Sequence, residues 1–332
     1  MKYKGIQLLP LVATATAVFV KYQTSMRAAR ARLQGKSMVI PSLYGDIEYS
    51  EHGSGYDVLV IHGSGGGFDQ GELLAQVVLG DQFHRITPSR FGYVRSTFHQ
   101  GATWDEQAHA HAHLLDQLGV EQVGVVAFSA GGPSALLFAL LHPERVSSLT
   151  LISCGGAQIP TAESKQARRQ GDALLWIFQR NFPYWAVSRL FKRPFMTLMG
   201  VPKAVVAALG SEQQEALGRF IDDMNPASLR QAGVVFDHTR EVPGPRIAGI
   251  HVPTLVIHAQ DDTLQPYRNA EFFSSTIPVA CLLSFPEGGH VVAFIEQEAV
   301  GSAVQQHIRD NAGEPRAQVL IPDESEEVGG EA

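Results

Sequence analysis

Val123-Gly124-Val125-Val126-Ala127-Phe128-Ser129-Ala130-Gly131-Gly132 is the stretch whose reading decides the fold. Its apolar first half reads as a strand buried on both faces, and Ala130 to Leu141 reads as a helix. A serine in so tight a strand-to-helix turn takes a strained backbone conformation that lifts its hydroxyl above the sheet, so its neighbours must be small. Ala127 meets that condition on one side, Gly131 and Gly132 on the other. An ordinary turn serine is the plain alternative, and the position between a buried strand and a helix argues against it. Ser129 is the expected nucleophile.

A serine hydroxyl needs a base and an acid that orients the base. The acid is expected at the end of a late strand. Thr254 to Ala259 is such a strand, and Asp261 and Asp262 follow it. The other place open to an acid, after the strand Val146 to Ser153, holds only Cys154, Gly155 and Gly156. Asp262 is therefore the expected acid, with Asp261 as the alternative. His290 lies in the glycine loop after the final strand, within Pro286-Glu287-Gly288-Gly289-His290, and is the expected base. Such loops gather at the carboxyl edge of a parallel sheet, where sites of this architecture collect.

His62-Gly63-Ser64-Gly65-Gly66-Gly67 follows an earlier buried strand, Asp57 to His62. A glycine turn there lets backbone N–H groups face a developing oxyanion. The expected donors are the amides of Ala130 and Ser64, with Gly65 as the alternative to Ser64. A glycine loop after a strand also serves to cradle phosphate, but no P-loop lysine follows and the dinucleotide spacing is absent. His109, His111 and His113 alternate along a predicted helix, so only the outer two share a face, and no acid or cysteine completes a metal set. No cofactor and no metal are expected. His62 and His258 end strands and read as hydrogen-bonded core histidines.

Strand and helix patterns alternate from Met38 to Ser153, which argues for a doubly wound, mostly parallel α/β sheet. The alternation stops at residues 157–246, a helical stretch punctuated by Pro160, Pro183, Pro194, Pro202 and Pro226. Strands resume at Val252 to Ala259 and Val279 to Phe285, and Val291 to Arg309 reads as the last helix. The expected organisation is a core of residues 37–156 and 247–312 interrupted by a helical cap, 157–246. Most of the cap's aromatic residues, among them Trp176, Phe178, Phe182 and Phe191, are expected to pack the cap, with some facing an apolar pocket.

Taken together, these segments resemble the α/β-hydrolase fold family over roughly residues 38 to 310. Pro88-Ser89-Arg90-Phe91-Gly92-Tyr93 is similar to the family's loop before the nucleophile strand, and His142-Pro143-Glu144-Arg145 follows the nucleophile helix as it does there. The order Ser129, Asp262, His290 is the family's order. Ala127 in place of the usual glycine and a long amino-terminal extension are the departures. A serine at this position argues against the dehalogenase and epoxide-hydrolase branches, which use aspartate. The resemblance implies hydrolysis of an ester-like bond in a small or medium apolar substrate, gated by the cap. Carbon–carbon bond hydrolysis or perhydrolysis on the same triad is the rival, and a non-catalytic ligand receptor is a reading from another class.

Composition sets the remaining bounds. Apolar residues make up 45% and charged residues 18% of 332, ordinary for a globular chain with a large core. The net charge of −7 is mostly terminal: beyond Gly313 six carboxylates face one arginine, so that tail, residues 313–332, is expected to be disordered. The rest is near neutral, which leaves no footprint for a nucleic acid. Cys154 and Cys281 fall at or in predicted core strands that are not expected to be neighbours, and both are expected to be buried and free. Residues 1–36 read differently. Lys2 and Lys4 precede an uncharged run from Gly5 to Val20, and a basic, alanine-rich linker follows, helical from Met26 to Leu33. This is the grammar of an export signal or a membrane anchor, although sixteen residues reach only about 24 Å against a hydrocarbon core of ~30 Å. Membrane association through residues 5–20 is expected, and a surface helix packed on the domain is the alternative.

Overall fold

The apolar runs read as strands join one eight-stranded sheet in the computed structural model, which describes residues 8–80, 82–157 and 161–313. The strands are β1 (Met38–Ile40), β2 (Ile47–His52), β3 (Tyr56–Ile61), β4 (Phe83–Pro88), β5 (Val123–Phe128), β6 (Val146–Ile152), β7 (Thr254–Ala259) and β8 (Ala280–Phe285). Their order is β1-β2-β4-β3-β5-β6-β7-β8. The pairs β1–β2 and β2–β4 are antiparallel, and every later pair is parallel. All six residues of β5 and of β7 are buried, as strands covered by helices on both faces must be. β8 is the edge strand, and its outer side chains meet solvent. Cys281 lies on it and is exposed, contrary to expectation, whereas Cys154 is buried; both are free thiols.

The helices of the core are α2 (Phe68–Val78), α3 (Trp104–Gln117), α4 (Gly132–Leu141) and, later, α11 (Arg268–Thr276), α12 (Val292–Ile295) and α13 (Gln297–Asn311). The start of α3 is written locally. The Thr103 hydroxyl accepts from the Glu106 amide at 3.2 Å, and the Glu106 carboxylate accepts from the Thr103 amide at 2.8 Å, a reciprocal box that satisfies two otherwise orphaned donors. Helix α11 was not anticipated, because its apolar residues are few: only Asn269, Ala270 and Phe273 are buried. The expected last helix is divided, with Glu296 (φ −104°, ψ 42°) separating α12 from α13.

Between β6 and β7 lie α5 (Ala162–Phe178), α6 (Asn181–Leu190), α7 (Lys192–Leu198), α8 (Lys203–Ala208), α9 (Ser211–Asp223) and α10 (Gln231–Thr239). Their apolar faces merge with one side of the sheet: Phe178, Met199, Phe220 and Met224 share a continuous core with Val58, Val126 and Val292. The opposite side is a second core, in which Leu59, Ile61 and Val125 pack with α3 and α4.

Preceding all of these is α1, which runs unbroken from Leu8 to Leu33. An apolar segment and a separate linker helix were expected, but no glycine or proline interrupts the chain between Pro10 and Gly35, so one helix forms. Residues 12–21 of α1 are exposed on all sides, while Met26 and Leu33 are buried on the domain. Among the described residues no helix is long and apolar enough to cross a membrane. Residues 1–7 and the acidic stretch 314–332 lie outside the described residues.

One buried histidine ties the fold to pH. The His111 ring on α3 packs against Phe138, and its Nε2 has no hydrogen-bond partner among the described residues. Burial first, then Arg90 and His142, push its pKa down to about 3. The native ring thus stays neutral while the unfolded chain takes up a proton below pH ~6.5. Stability is full above that pH and is lost as pH falls toward 3, at about 1.4 kcal/mol per unit. His111→Leu removes this contribution. Urea melts at pH 6.5 and 5 are expected to show the variant gaining about 2 kcal/mol on the native chain across that interval. An unchanged difference would refute it.

Candidate active site

The turn after β5 carries the strain anticipated for it. Phe128 is extended (φ −120°, ψ 133°), and Ser129 swings to φ 52°, a left-handed conformation that costs a non-glycine residue about 1–2 kcal/mol. Close packing explains the glycines that follow. A Cβ on Gly131 would lie 2.7 Å from the Ile61 carbonyl, and one on Gly132 would lie 2.8 Å from Cys154 Cβ and the Gly155 carbonyl. The helix can approach the sheet only without those atoms, and this approach aims the Ser129 hydroxyl over the carboxyl edge.

Three expected residues meet there. Ser129 Oγ lies 2.8 Å from His290 Nε2, and His290 Nδ1 lies 2.8 Å from Asp262 Oδ2. All three are buried. The other Asp262 oxygen accepts from the Leu264 and Gln265 amides at 2.8 and 2.9 Å, which leaves Oδ2 for the imidazole. Burial pushes the Asp262 carboxyl up, but His290 and the hydrogen bonds from His258 and His290 outweigh it, and its pKa falls to about 2. Asp261, the alternative acid, does not reach the imidazole: its carboxylate accepts from the Gly289 amide at 2.8 Å and so braces the loop that carries His290. The His290 amide in turn donates to the Gly200 carbonyl of the α7–α8 connection at 3.1 Å.

The glycine loop behaves asymmetrically. The Gly65 amide is directed to Tyr93 Oη at 3.4 Å, and the Gly66 amide closes a turn onto the Gly63 carbonyl at 3.2 Å. The Ser64 amide makes no hydrogen bond within the described residues. Ala130 follows Ser129 in the first helical turn, where amides lack intrahelical partners. His62 stands beneath the loop: Nδ1 donates to the Gly63 carbonyl at 2.6 Å, and Nε2 accepts from the Arg90 amide at 2.9 Å. Burial, reinforced by Arg90, pushes its pKa well below the ordinary range and keeps it neutral. His258 is a core histidine too, with Nε2 2.8 Å from the Gln265 carbonyl.

A cavity of about 160 Å³ opens at Ser129. Leu174, Phe178, Met199, Phe220, Met224 and Val234 form its apolar wall. A second, more polar cavity of about 340 Å³ adjoins it past Ala130, Asp237 and Gln265. Of the aromatic residues expected to pack a cap, Phe178 faces the cavity, Tyr184, Trp185 and Phe195 are buried, and Trp176, Phe182 and Phe191 are exposed. One polar group here was not anticipated. Asp237 of α10 takes both Arg90 guanidinium nitrogens at 2.6 and 2.8 Å and accepts from Tyr93 Oη at 2.5 Å, and Tyr93 Oη lies 3.2 Å from Ser64 Oγ. Asp237 lies 147 positions from Arg90 and 144 from Tyr93, so no local signal could have paired it with them.

The family model of the alpha/beta hydrolase fold matches residues 57–297. The chain belongs to that family, and with it to the hydrolases. The uncharacterized hydrolase YcgS of Bacillus subtilis (strain 168) is 43% identical over 110 residues, 33% of this chain but only 38% of that protein. The 2-hydroxymuconate semialdehyde hydrolase of Pseudomonas putida is 27% identical, covering 78% of this chain and 89% of its own. Lipase 3 of Moraxella sp. (strain TA144) is also 27% identical, with 85% of each chain covered. Among solved structures, an alpha/beta hydrolase fold protein from Nakamurella multipartita superposes with a TM-score of 0.65 at 25% identity, covering 82% of this chain and 99% of that one.

Proposed function

We propose that the protein is a serine hydrolase that cleaves an ester-like bond of a small or medium apolar substrate through an acyl-enzyme. The observation that carries this reading is the unbroken line from Ser129 Oγ through His290 to Asp262 Oδ2. Ser129 attacks the carbonyl carbon while His290 Nε2 takes its proton, and Asp262 holds the ring with Nδ1–H inward. The amides of Ala130 and Ser64 stabilise the oxyanion. Collapse breaks the bond to the leaving oxygen, which receives the proton from His290, and water then repeats the sequence on the acyl-enzyme. The small apolar cavity at Ser129 supports a short or medium acyl group. A fluorophosphonate probe is expected to label the folded native chain once, at Ser129, and short p-nitrophenyl esters to be hydrolysed. Absence of labelling on folded protein would return the chain to a ligand receptor.

Carbon–carbon bond hydrolysis is the second reading. A relative bears the name of a semialdehyde hydrolase, and Ser64, which lines the cavity at Ser129, has its hydroxyl 3.2 Å from Tyr93 Oη. Comparing esters with vinylogous diketones on one preparation separates the two.

The amino-terminal helix supports a membrane-surface setting. Val12, Phe19 and Val20 are exposed on it, and Phe182, Leu190 and Phe191 are exposed on the cap, whose Phe182 ring meets Tyr22 of α1 at 5.4 Å. Lys21, Arg27 and Arg30 follow, and no acidic residue precedes Asp46. An apolar surface edged by cations fits an anionic bilayer, each cation near it contributing about 1 kcal/mol. The full chain is expected to sediment with phosphatidylglycerol vesicles, less so in high salt, and Phe19→Glu to weaken that binding. No sedimentation with either anionic or phosphatidylcholine vesicles would sink the idea.

A further inference from the structure

The last turns of α1 reach the candidate active site through a chain of charges that runs from half-buried Arg32 to buried Asp69 and Arg230. Arg32 sends Nη1 to Asp69 Oδ2 at 2.6 Å and Nη2 to the Asp223 carbonyl at 2.6 Å, with Nε 3.1 Å from Asp223 Oδ1. Asp69, at the start of α2, is also gripped by both terminal nitrogens of Arg230, at 3.1 and 2.8 Å. Arg230 is fully buried at the entrance to α10, and its Nη1 donates onward to the Gly66 carbonyl. Gly66 closes the turn that presents the Ser64 amide. Burial pushes the Asp69 carboxyl up, but pairing with Arg230 and then Arg32 holds it below its ordinary value, so the link stays ionic.

We propose that Arg32 is a positioning residue for the oxyanion loop, acting through Asp69 and Arg230 on the Gly66 carbonyl. The inference rests on the serine-hydrolase reading above. Its physical basis is that Asp69 satisfies two guanidiniums at once. With Arg32 gone, the carboxylate and Arg230 are free to shift together, and Gly66 shifts with them. An amide displaced by a fraction of an ångström loses more on a tetrahedral oxyanion than on a ground-state carbonyl. The amino-terminal extension is on this view part of the catalytic scaffold. Among the described residues, the exposed Lys21, Arg27 and Arg30 of the same helix make no such link.

The test uses the full chain and counts active sites by fluorophosphonate titration, so that kcat refers to folded enzyme. Arg32→Ala is expected to lower kcat on a short ester between about 5- and 50-fold with KM within twofold. The inhibition constant of an alkylboronate, which forms a tetrahedral adduct on the serine, should rise by the same factor. Arg32→Lys, which keeps the charge but not the fork, is expected between Ala and native. Lys36→Ala, at an exposed cation just beyond α1, should match the native enzyme. An unchanged kcat per titrated site in Arg32→Ala overturns the proposal, and so does a fall in kcat with the boronate constant unmoved. If Arg32→Ala does not fold, Arg32→Lys decides by the same two readouts. Failure of the underlying reading is seen separately, as a native chain that takes no label.

Discussion

Ser129→Ala is expected to lower kcat/KM on a short ester by roughly 10⁴- to 10⁶-fold while leaving the fold intact. In the proposed mechanism Oγ is the atom that bonds to the substrate, so its removal eliminates the covalent route. The backbone at this position is already left-handed, and alanine inherits that conformation without adding bulk toward Gly131, Gly132 or the Ile61 carbonyl. The melting temperature should therefore stay within a few degrees, and the fluorophosphonate label should vanish. Residual turnover belongs to water acting in a site that still binds the acyl group and its oxyanion. Native-like ester turnover in a purified sample of this variant would end the assignment of Ser129.

Asp262→Asn carries the second large effect, a fall in kcat of about 10³- to 10⁴-fold. Donor and acceptor bookkeeping explains it. Asp262 Oδ1 accepts from two amides, so an asparagine keeps its carbonyl oxygen there and turns its NH₂ toward His290 Nδ1. Two donors then face each other, and the ring adopts the tautomer with the proton on Nε2. That nitrogen points at Ser129 and can no longer accept from it. Asp261→Asn makes a contrast, because its oxygen still receives the Gly289 amide, and less than a tenfold loss is expected. Kinetics of the two variants side by side distinguish acid from brace. Equal losses would mean that the base is oriented by some other group.

The order Ser129, Asp262, His290 and the alternation of strand with helix were legible in the sequence because each rests on local chemistry. A strand buried on two faces is a continuous apolar run, a tight turn needs small residues, and the loops after parallel strands fall on one edge. The choice between Asp261 and Asp262 was legible only as a preference. Both follow the same strand, and a one-residue step reverses which carboxylate faces inward. The continuous α1 was hidden by its own composition, since an uncharged half and a basic half suggest two segments where the backbone finds no reason to break.

By itself the sequence determined the class of fold, the strand-to-helix turn at Ser129, the glycine loop and the small set of candidate groups around that serine, because those features depend on residue type and short spacing. Tertiary structure alone decided the rest. It turned the Gly65 amide toward Tyr93, set Phe178 and Phe220 against the cavity at Ser129, and joined Arg32, Asp69 and Arg230 behind the loop. Those contacts cross up to 161 positions of chain, where pairing depends on how the helices settle on the sheet and leaves no periodic mark.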